Sequence, residues 1–185
     1  MRIISGTAKG TKLHTLEGEN TRPTLDRVKE ALFNIIQYEI EDSIVLDLFS
    51  GSGAIGLEFA SRGAKEVYLN DVSKEAFEII KQNIEKTHLS KKANVYNLDF
   101  LNMLQKVKNI KFDIIYLDPP YKSNFVIDAI NEILKFKMIT KDSLIIVETD
   151  ENEKITDNLK NIKNIEIIDK RKYGRAYMFF LKSIT

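Results

Sequence analysis

"VLDLFSGSGAIGLE", residues 45–58, holds three kinds of signal in one stretch. Val45 to Phe49 is a short apolar run, interrupted by Asp47. Ser50 to Gly53 is a glycine-rich break. From Ala54 the apolar residues return at helical spacing. A strand that turns tightly into a helix is the opening unit of an open α/β sheet. Such sheets bind ligands beyond the carboxyl ends of their strands, near the point where strand order reverses. Gly51 and Gly53 let the backbone come close to a ligand, and the helix start offers free N–H groups to an anion. A ligand-free turn would use glycine too. Gly51, Gly53 and Gly56 in close succession, with Asp47 just ahead, favour binding.

Toward the C-terminus the alternation continues. "EVYLND" reads as a strand, and "SKEAFEIIKQNIEKTH" as a helix with Ser73 as its N-cap. "ANVYNLD" is a third strand, "FLNMLQKV" a short helix, "FDIIYLD" a fourth strand. "SNFVIDAINEILKF" is a helix, "DSLIIVET" a fifth strand, and "KITDNLKN" a weaker helix. "IEIIDKRKYG" and "RAYMFFLKS" are strand-like runs joined at a Tyr-Gly break. So short a connection cannot make a parallel crossover, so this pair is expected to be antiparallel. Toward the N-terminus, residues 2–4 and 11–16 alternate around "SGTAKG" as a small β-hairpin would. "TRPT" then breaks the chain, with Thr24 placed to cap a helix running to about Tyr38. The expected architecture is α/β: a seven-stranded, mostly parallel sheet with an antiparallel C-terminal hairpin, plus an N-terminal β-hairpin and helix. Two regions follow, an extension over 1–40 and a main domain over 41–185.

Composition limits the chemistry. The chain has 185 residues, 43% apolar and 30% charged, and suits an ordinary globule. It has no cysteine, which excludes disulfides, thiolate metal sites and a cysteine nucleophile. Its two histidines, His14 and His88, are far apart, and no metal site is expected. No apolar run approaches the ~20 residues of a membrane helix, and "MRIISGTAKG" lacks the apolar centre of a signal peptide. A cytoplasmic protein is expected. Net charge is +1, a weak sign for nucleic-acid binding, so local clusters matter more. Residues 1–29 carry Arg2, Lys9, Lys12, Arg22, Arg27 and Lys29 against three acids. Residues 170–175 carry Lys170, Arg171, Lys172 and Arg175 with none. These are either solvated surface charges or a basic face.

Four acids fall at predicted strand ends: Asp47, Asp71, Asp99 and Asp118. Singly, each reads as a cap or surface residue. Parallel topology sets all four at one sheet edge. Asp71 lies about twenty residues past the glycines, where an acid accepts hydrogen bonds from ribose hydroxyls. Asn70 beside it shares that role or caps the strand. Asp99 is placed to receive an adenine amino group.

"DPPY", residues 118–121, ends the fourth strand with two prolines. A rigid turn explains the prolines but not the acid and the aromatic ring. Both suit an exocyclic amine on a base. Its lone pair is delocalised into the ring, which makes it a poor nucleophile. The Asp118 carboxylate can accept one N–H and the Pro119 carbonyl, stiffened by Pro120, the other. A more pyramidal nitrogen then aims its lone pair at a donor. Tyr121 can stack on an extruded base.

In this order, "DLFSGSG", a strand-end acid and "DPPY" resemble the Rossmann-like S-adenosylmethionine-dependent methyltransferases of exocyclic amines. "MRIISGTAKGTKL", "TRPTLDRVKEALFNII", "DLFSGSGAIGLEFASRGA", "DPPY" and "KYGRAYMFF" extend the likeness over nearly the whole chain, to the RsmD family. That family methylates the N2 amine of a guanine in bacterial 16S ribosomal RNA. The resemblance implies the class I methyltransferase fold and S-adenosylmethionine as cofactor, with S-adenosylhomocysteine as product and no metal. It implies that Gly51, Gly53, Asp71 and Asp99 bind the cofactor, with Asp47, Phe49, Asn70 and Phe100 beside them. Asp118, Pro119, Pro120 and Tyr121 would hold the guanine. Arg22, Thr24 and Arg27 match the family's signature ahead of the core, and with Lys172 and Arg175 they are the expected RNA contacts. The expected partner is 16S ribosomal RNA, within the small subunit or an assembly intermediate. The protein is expected to act as a monomer away from membranes. Ser50 stands where the family often has alanine, a change expected to be harmless. Asp71 stands where glutamate is usual.

The competing readings explain less. A DNA or other RNA amino-methyltransferase acting on adenine N6 or cytosine N4 would share "DPPY". Such DNA enzymes usually carry a target-recognition insertion, and only one predicted helix lies between Tyr121 and the fifth strand. A small-molecule methyltransferase would more often have an apolar cap, where this N-terminal segment is polar and basic. A nucleotide-binding module without activity would not need "DPPY". An NAD-linked dehydrogenase would share the glycines and Asp71 and leave "DPPY" unexplained.

Overall fold

The computed structural model describes residues 1–16, 23–120 and 124–184, and for 23–25 the backbone alone. Seven strands, numbered β1 to β7 in chain order, form one sheet, as the sequence pattern led one to expect, and their order across it is β3-β2-β1-β4-β5-β7-β6. The chain divides into two compact units, Met1–Asp99 and Phe100–Thr185.

The first unit contains α1 (Pro23–Ile35), β1 (Ile44–Asp47), α2 (Ala54–Ser61), β2 (Glu66–Asn70), α3 (Lys74–Thr87) and β3 (Ala93–Tyr96). β2 pairs parallel with both β1 and β3. The backbone of α1 is already helical at Pro23, so Thr24 lies inside the helix and is not its cap. Proline suits this first position because its missing N–H would have had no partner in the helix anyway. The helix also stops at Ile35, short of Tyr38, which is 90% exposed. Ile36 and Ile40 stay buried beyond the helix end, so packing continues where helical periodicity stops. Ser73 caps α3 as expected, its hydroxyl accepting from the Ala76 N–H at 3.2 Å.

The N-terminal hairpin is reduced to one antiparallel bridge, Arg2–Lys12. Its ladder is short because residues 4–8 turn aside to bond α2. Ser61 Oγ donates to the Ser5 carbonyl at 2.6 Å and accepts from the Ala8 N–H at 2.9 Å. A Cβ on Gly6 would lie 1.8 Å from the Ser61 carbonyl oxygen, so only glycine fits there. Glu58, fully buried, accepts from the Ile4 and Ser5 N–H groups at 2.8 and 3.0 Å. It also pairs with Lys29 at 3.2 Å and Arg62 at 2.7 Å. Lys29 is therefore no surface charge. It is 2% exposed, its ammonium donates to the Arg2 carbonyl, and burial lowers its pKa against the opposing pull of Glu58.

The second unit contains α4 (Phe100–Val107), β4 (Ile114–Leu117), α5 (Phe125–Lys135), β5 (Leu144–Thr149), α6 (Asn152–Lys160), β6 (Ile165–Tyr173) and β7 (Ala176–Ser183). β4 and β5 run parallel, and β7 pairs antiparallel with β5 and β6. The β6–β7 connection is Gly174–Arg175, with Gly174 at φ 60°, a left-handed conformation suited to glycine. Every residue of β4 is buried, which explains why its sequence reads as a continuous apolar run. Ile115, Leu117, Ile145 and Val147 are fully enclosed, each contributing about 1.5–3 kcal/mol of hydrophobic stabilisation.

Candidate active site

In the first unit the site grows from the turn after β1. Gly51 and Gly53 both take positive φ, 54° and 80°. Such a turn would strain any residue with a Cβ. Gly53 caps α2 in the left-handed conformation, and its N–H donates to the Ser50 carbonyl at 2.7 Å. Gly56 serves packing instead: a Cβ there would lie 2.6 Å from Leu69 and 3.1 Å from Asp47 Oδ2.

Asp47 is buried at the end of β1, 1% exposed. Its Oδ2 accepts from the Gly56 N–H at 3.0 Å. Its Oδ1 has no hydrogen-bond partner among the described residues. Burial, with a smaller push from the Asp71 charge, raises the carboxyl to about 7, against the pull of the Gly56 and Ser50 hydrogen bonds. A buried acceptor without a donor is costly, and its position beside a glycine-rich turn suits a cationic or N–H group of a ligand.

Asp71 follows β2, half-buried. Its Oδ2 accepts from the Gly51 N–H at 2.9 Å and its Oδ1 from the Ser73 N–H at 2.9 Å. Each oxygen keeps a second lone pair for a hydroxyl. Asn70 is buried and uses both ends of its amide on the protein. Its Nδ2 donates to the Leu98 carbonyl at 2.9 Å, and its Oδ1 accepts from the Leu98 N–H at 3.1 Å. It thereby ties the end of β2 to the chain after β3. Asp99 is exposed, and Phe49 half-buried.

Two polar residues whose partners the sequence did not show shape this turn. Ser50 Oγ donates to the Asp47 carbonyl at 2.7 Å and accepts from the Asn70 N–H at 3.0 Å. Asn83 of α3, fully buried, donates to the Ser52 carbonyl at 2.9 Å and exchanges hydrogen bonds with the backbone of His14. Its only sequence signal was a polar residue on the buried face of an amphipathic helix.

In the second unit Asp118 directly follows β4 and is half-buried, Pro119 is buried and Pro120 exposed. Phe100 packs its ring against Phe125 with centroids 4.9 Å apart. Tyr121 and Arg22 lie outside the described residues, as does the side chain of Thr24. Arg27, Lys172 and Arg175 are exposed. On the β6–β7 hairpin the Lys172 ammonium sits 5.3 Å from the Tyr177 ring centroid, and Lys170 lies 5.5 Å from the same ring. Arg171 is paired with Asp169 at 2.8 Å, which removes part of the positive character expected of residues 170–175. Sequence reading also passed over Glu148, an acid inside the apolar run "LIIVET", which accepts from the Tyr116 hydroxyl. Among the described residues no cluster of three or more His, Asp or Glu is placed to hold a metal ion. No helix among them is long and apolar enough to cross a membrane.

A sheet with this strand order, closed by an antiparallel pair, is the class I, Rossmann-like methyltransferase fold. The solved structure of yhhF from Escherichia coli matches it with a TM-score of 0.84 at 28% identity, covering 99% of this chain and 97% of that one. The family model described as Conserved hypothetical protein 95 matches residues 1–182, and the chain belongs to that family, the RsmD family. Ribosomal RNA small subunit methyltransferase D of Haemophilus influenzae is 38% identical over 83% of this chain and 80% of its own length. The protein of that name in Escherichia coli K12 is 33% identical over 81% of this chain and 75% of its own length.

Proposed function

We propose that the protein transfers a methyl group from S-adenosylmethionine to the N2 amine of a guanine in bacterial 16S ribosomal RNA. Family membership over nearly the whole chain carries this reading, with relatives whose names specify small-subunit ribosomal RNA. When bound, S-adenosylmethionine supplies an electrophilic methyl group on a sulfonium.

The residues fit that cofactor. Asp47 Oδ1, buried and without a donor, suits the ammonium of its amino-acid end. Asp71 accepts ribose hydroxyls through the lone pairs that Gly51 and Ser73 leave open. Gly51 and Gly53 keep the turn free of side chains, and Asn70 holds it in place. Asp99 accepts the adenine amine, with Phe49 and Phe100 providing apolar contact.

Asp118 accepts one N–H of the guanine amine, and the Pro119 carbonyl accepts the other. Pro120 stiffens that carbonyl, and Tyr121 stacks on the base, which must leave its own stack to enter. The neutral amine is far too weak an acid to ionise first, so its proton leaves after attack. Catalysis is then mostly positioning and electrostatics. Residues 1–40 serve as the RNA-contacting extension of a methyltransferase domain over 41–185. Arg22, Thr24, Arg27, Lys172 and Arg175 meet the RNA, reading shape and phosphates. The setting is cytoplasmic, with the protein acting as a monomer on the small subunit or an assembly intermediate.

Transfer of labelled methyl groups to deproteinised 16S RNA, to small subunits lacking the modification, and to duplex DNA tests the reading. Label in RNA or subunits is expected. Label in DNA alone would overturn it.

A further inference from the structure

Glu148 is a carboxylic acid inside an apolar strand, and the reaction proposed above gives it no role. Leu117 pairs with Val147 in the parallel β4–β5 ladder. Asp118 and Glu148 are the residues that follow this last pair on the two strands, whose spacing is about 4.8 Å. Side chains alternate along a strand, so Tyr116 and Asp118 share a face of β4, and Ile146 and Glu148 share a face of β5. The hydrogen bond from the Tyr116 hydroxyl to Glu148 Oε2 shows that these are the same face of the sheet. Glu148 Oε1 accepts from nothing among the described residues, and Met178, opposite Glu148 on β7, is apolar. Burial raises the Glu148 pKa, with the Tyr116 hydrogen bond pulling the other way. The second oxygen is an acceptor set next to the residue that receives the amine.

Guanine presents three N–H bonds on one edge: N1–H and the two of the N2 amine. Asp118 and the Pro119 carbonyl account for two. Purines that carry an amine but lack N1–H, such as adenine and 2-aminopurine, have a lone pair at N1. A carboxylate beside the amine site would attract the first pattern and repel the second. Resting on the methyl-transfer reading, we propose that Glu148 selects guanine: its carboxylate accepts N1–H of the base whose amine Asp118 holds, while Tyr116 fixes its orientation. Glu148 is thus a specificity-determining residue, and Tyr116 a positioning residue behind it.

The test uses 2-aminopurine, which keeps the methylatable amine and replaces N1–H with a lone pair. The guanine labelled by the wild-type protein is first mapped. RNA is then prepared with guanine or 2-aminopurine at that position. If the wild-type protein labels no guanine, the parent reading has failed and the selection goes with it. Otherwise the wild-type protein is expected to prefer guanine by about ten- to a hundredfold in kcat/KM, the scale of a directed base contact. Glu148→Gln keeps size and the acceptor for Tyr116, and turns an amide N–H₂ toward N1. It is expected to shrink that preference at least about tenfold or reverse it. An unchanged ratio overturns the proposal, whether total activity is kept or lost. If thermal melting shows that Glu148→Gln does not fold, Glu148→Asp is compared in the same way. Its shorter acid is expected to narrow the preference, and an unchanged ratio again overturns the proposal.

Discussion

The Gly51 N–H donates to Oδ2 of Asp71 at 2.9 Å, tying the glycine turn after β1 to the acid after β2. Asp71 thus holds the turn and, in the proposed function, the ribose. The turn does not depend on it alone, since the Ser50 N–H also donates to the Asn70 carbonyl at 2.8 Å. Asp71→Ala is expected to leave the fold intact and weaken S-adenosylmethionine binding by roughly ten- to a hundredfold, the value of one charge-assisted hydrogen bond. Isothermal titration calorimetry checks this, and unchanged affinity would remove Asp71 from the cofactor site.

Asp47 predicts opposite effects on stability and binding. Its carboxyl stands at about 7 in the fold, against 3.8 ordinarily. Between those values the folded state binds the extra proton, so this group's contribution to stability is present at low pH and is lost as pH rises through about 7. The whole effect is at most about 4 kcal/mol. Asp47→Asn keeps an acceptor for Gly56 and never ionises. Urea denaturation of the ligand-free protein should show the variant more stable than wild type at pH 8 and nearly equal at pH 4. Cofactor affinity should fall at the same time, because the acceptor for a cation loses its charge. A variant less stable at pH 8 would contradict the assignment.

Glu58 joins four donors from three parts of the chain, Ile4 and Ser5, Lys29, and Arg62. Glu58→Ala leaves the Lys29 ammonium buried without its counter-ion, and is expected to cost about 3–5 kcal/mol. Denaturant unfolding measures the loss. Limited proteolysis should show residues 1–16 cleaved first, because two of their anchoring bonds are gone.

Ser50→Ala removes the clasp between the Asp47 carbonyl and the Asn70 N–H. A cost of about 1 kcal/mol is expected, seen as a lower denaturation midpoint, with methyl transfer retained.

Much of the fold was legible because its signals are local. The strand–helix alternation, the Ser73 cap and the turn glycines each depend on residues within a few positions. Less of the site was legible, because its supports are distant. Ser61 meets Ala8 53 residues away, Asn83 meets His14 69 away, and Glu58 meets Ile4 54 away. A local pattern does not encode such partners. Lys29 showed this most clearly: as a letter it counted toward a basic surface, and only its long-range partner explains its burial. At α1, two start signals stood side by side, and the proline at the first helical position outcompeted capping by Thr24.

The central claim is tested most directly by digesting methylated 16S RNA to nucleosides and comparing wild type with Asp118→Ala. N2-methylguanosine carrying the label is expected from the wild-type protein. It should be absent with Asp118→Ala, while that variant binds S-adenosylmethionine with nearly wild-type affinity. Label in another nucleoside, or cofactor affinity lost in parallel with turnover, would contradict the assignment of the amine site to Asp118.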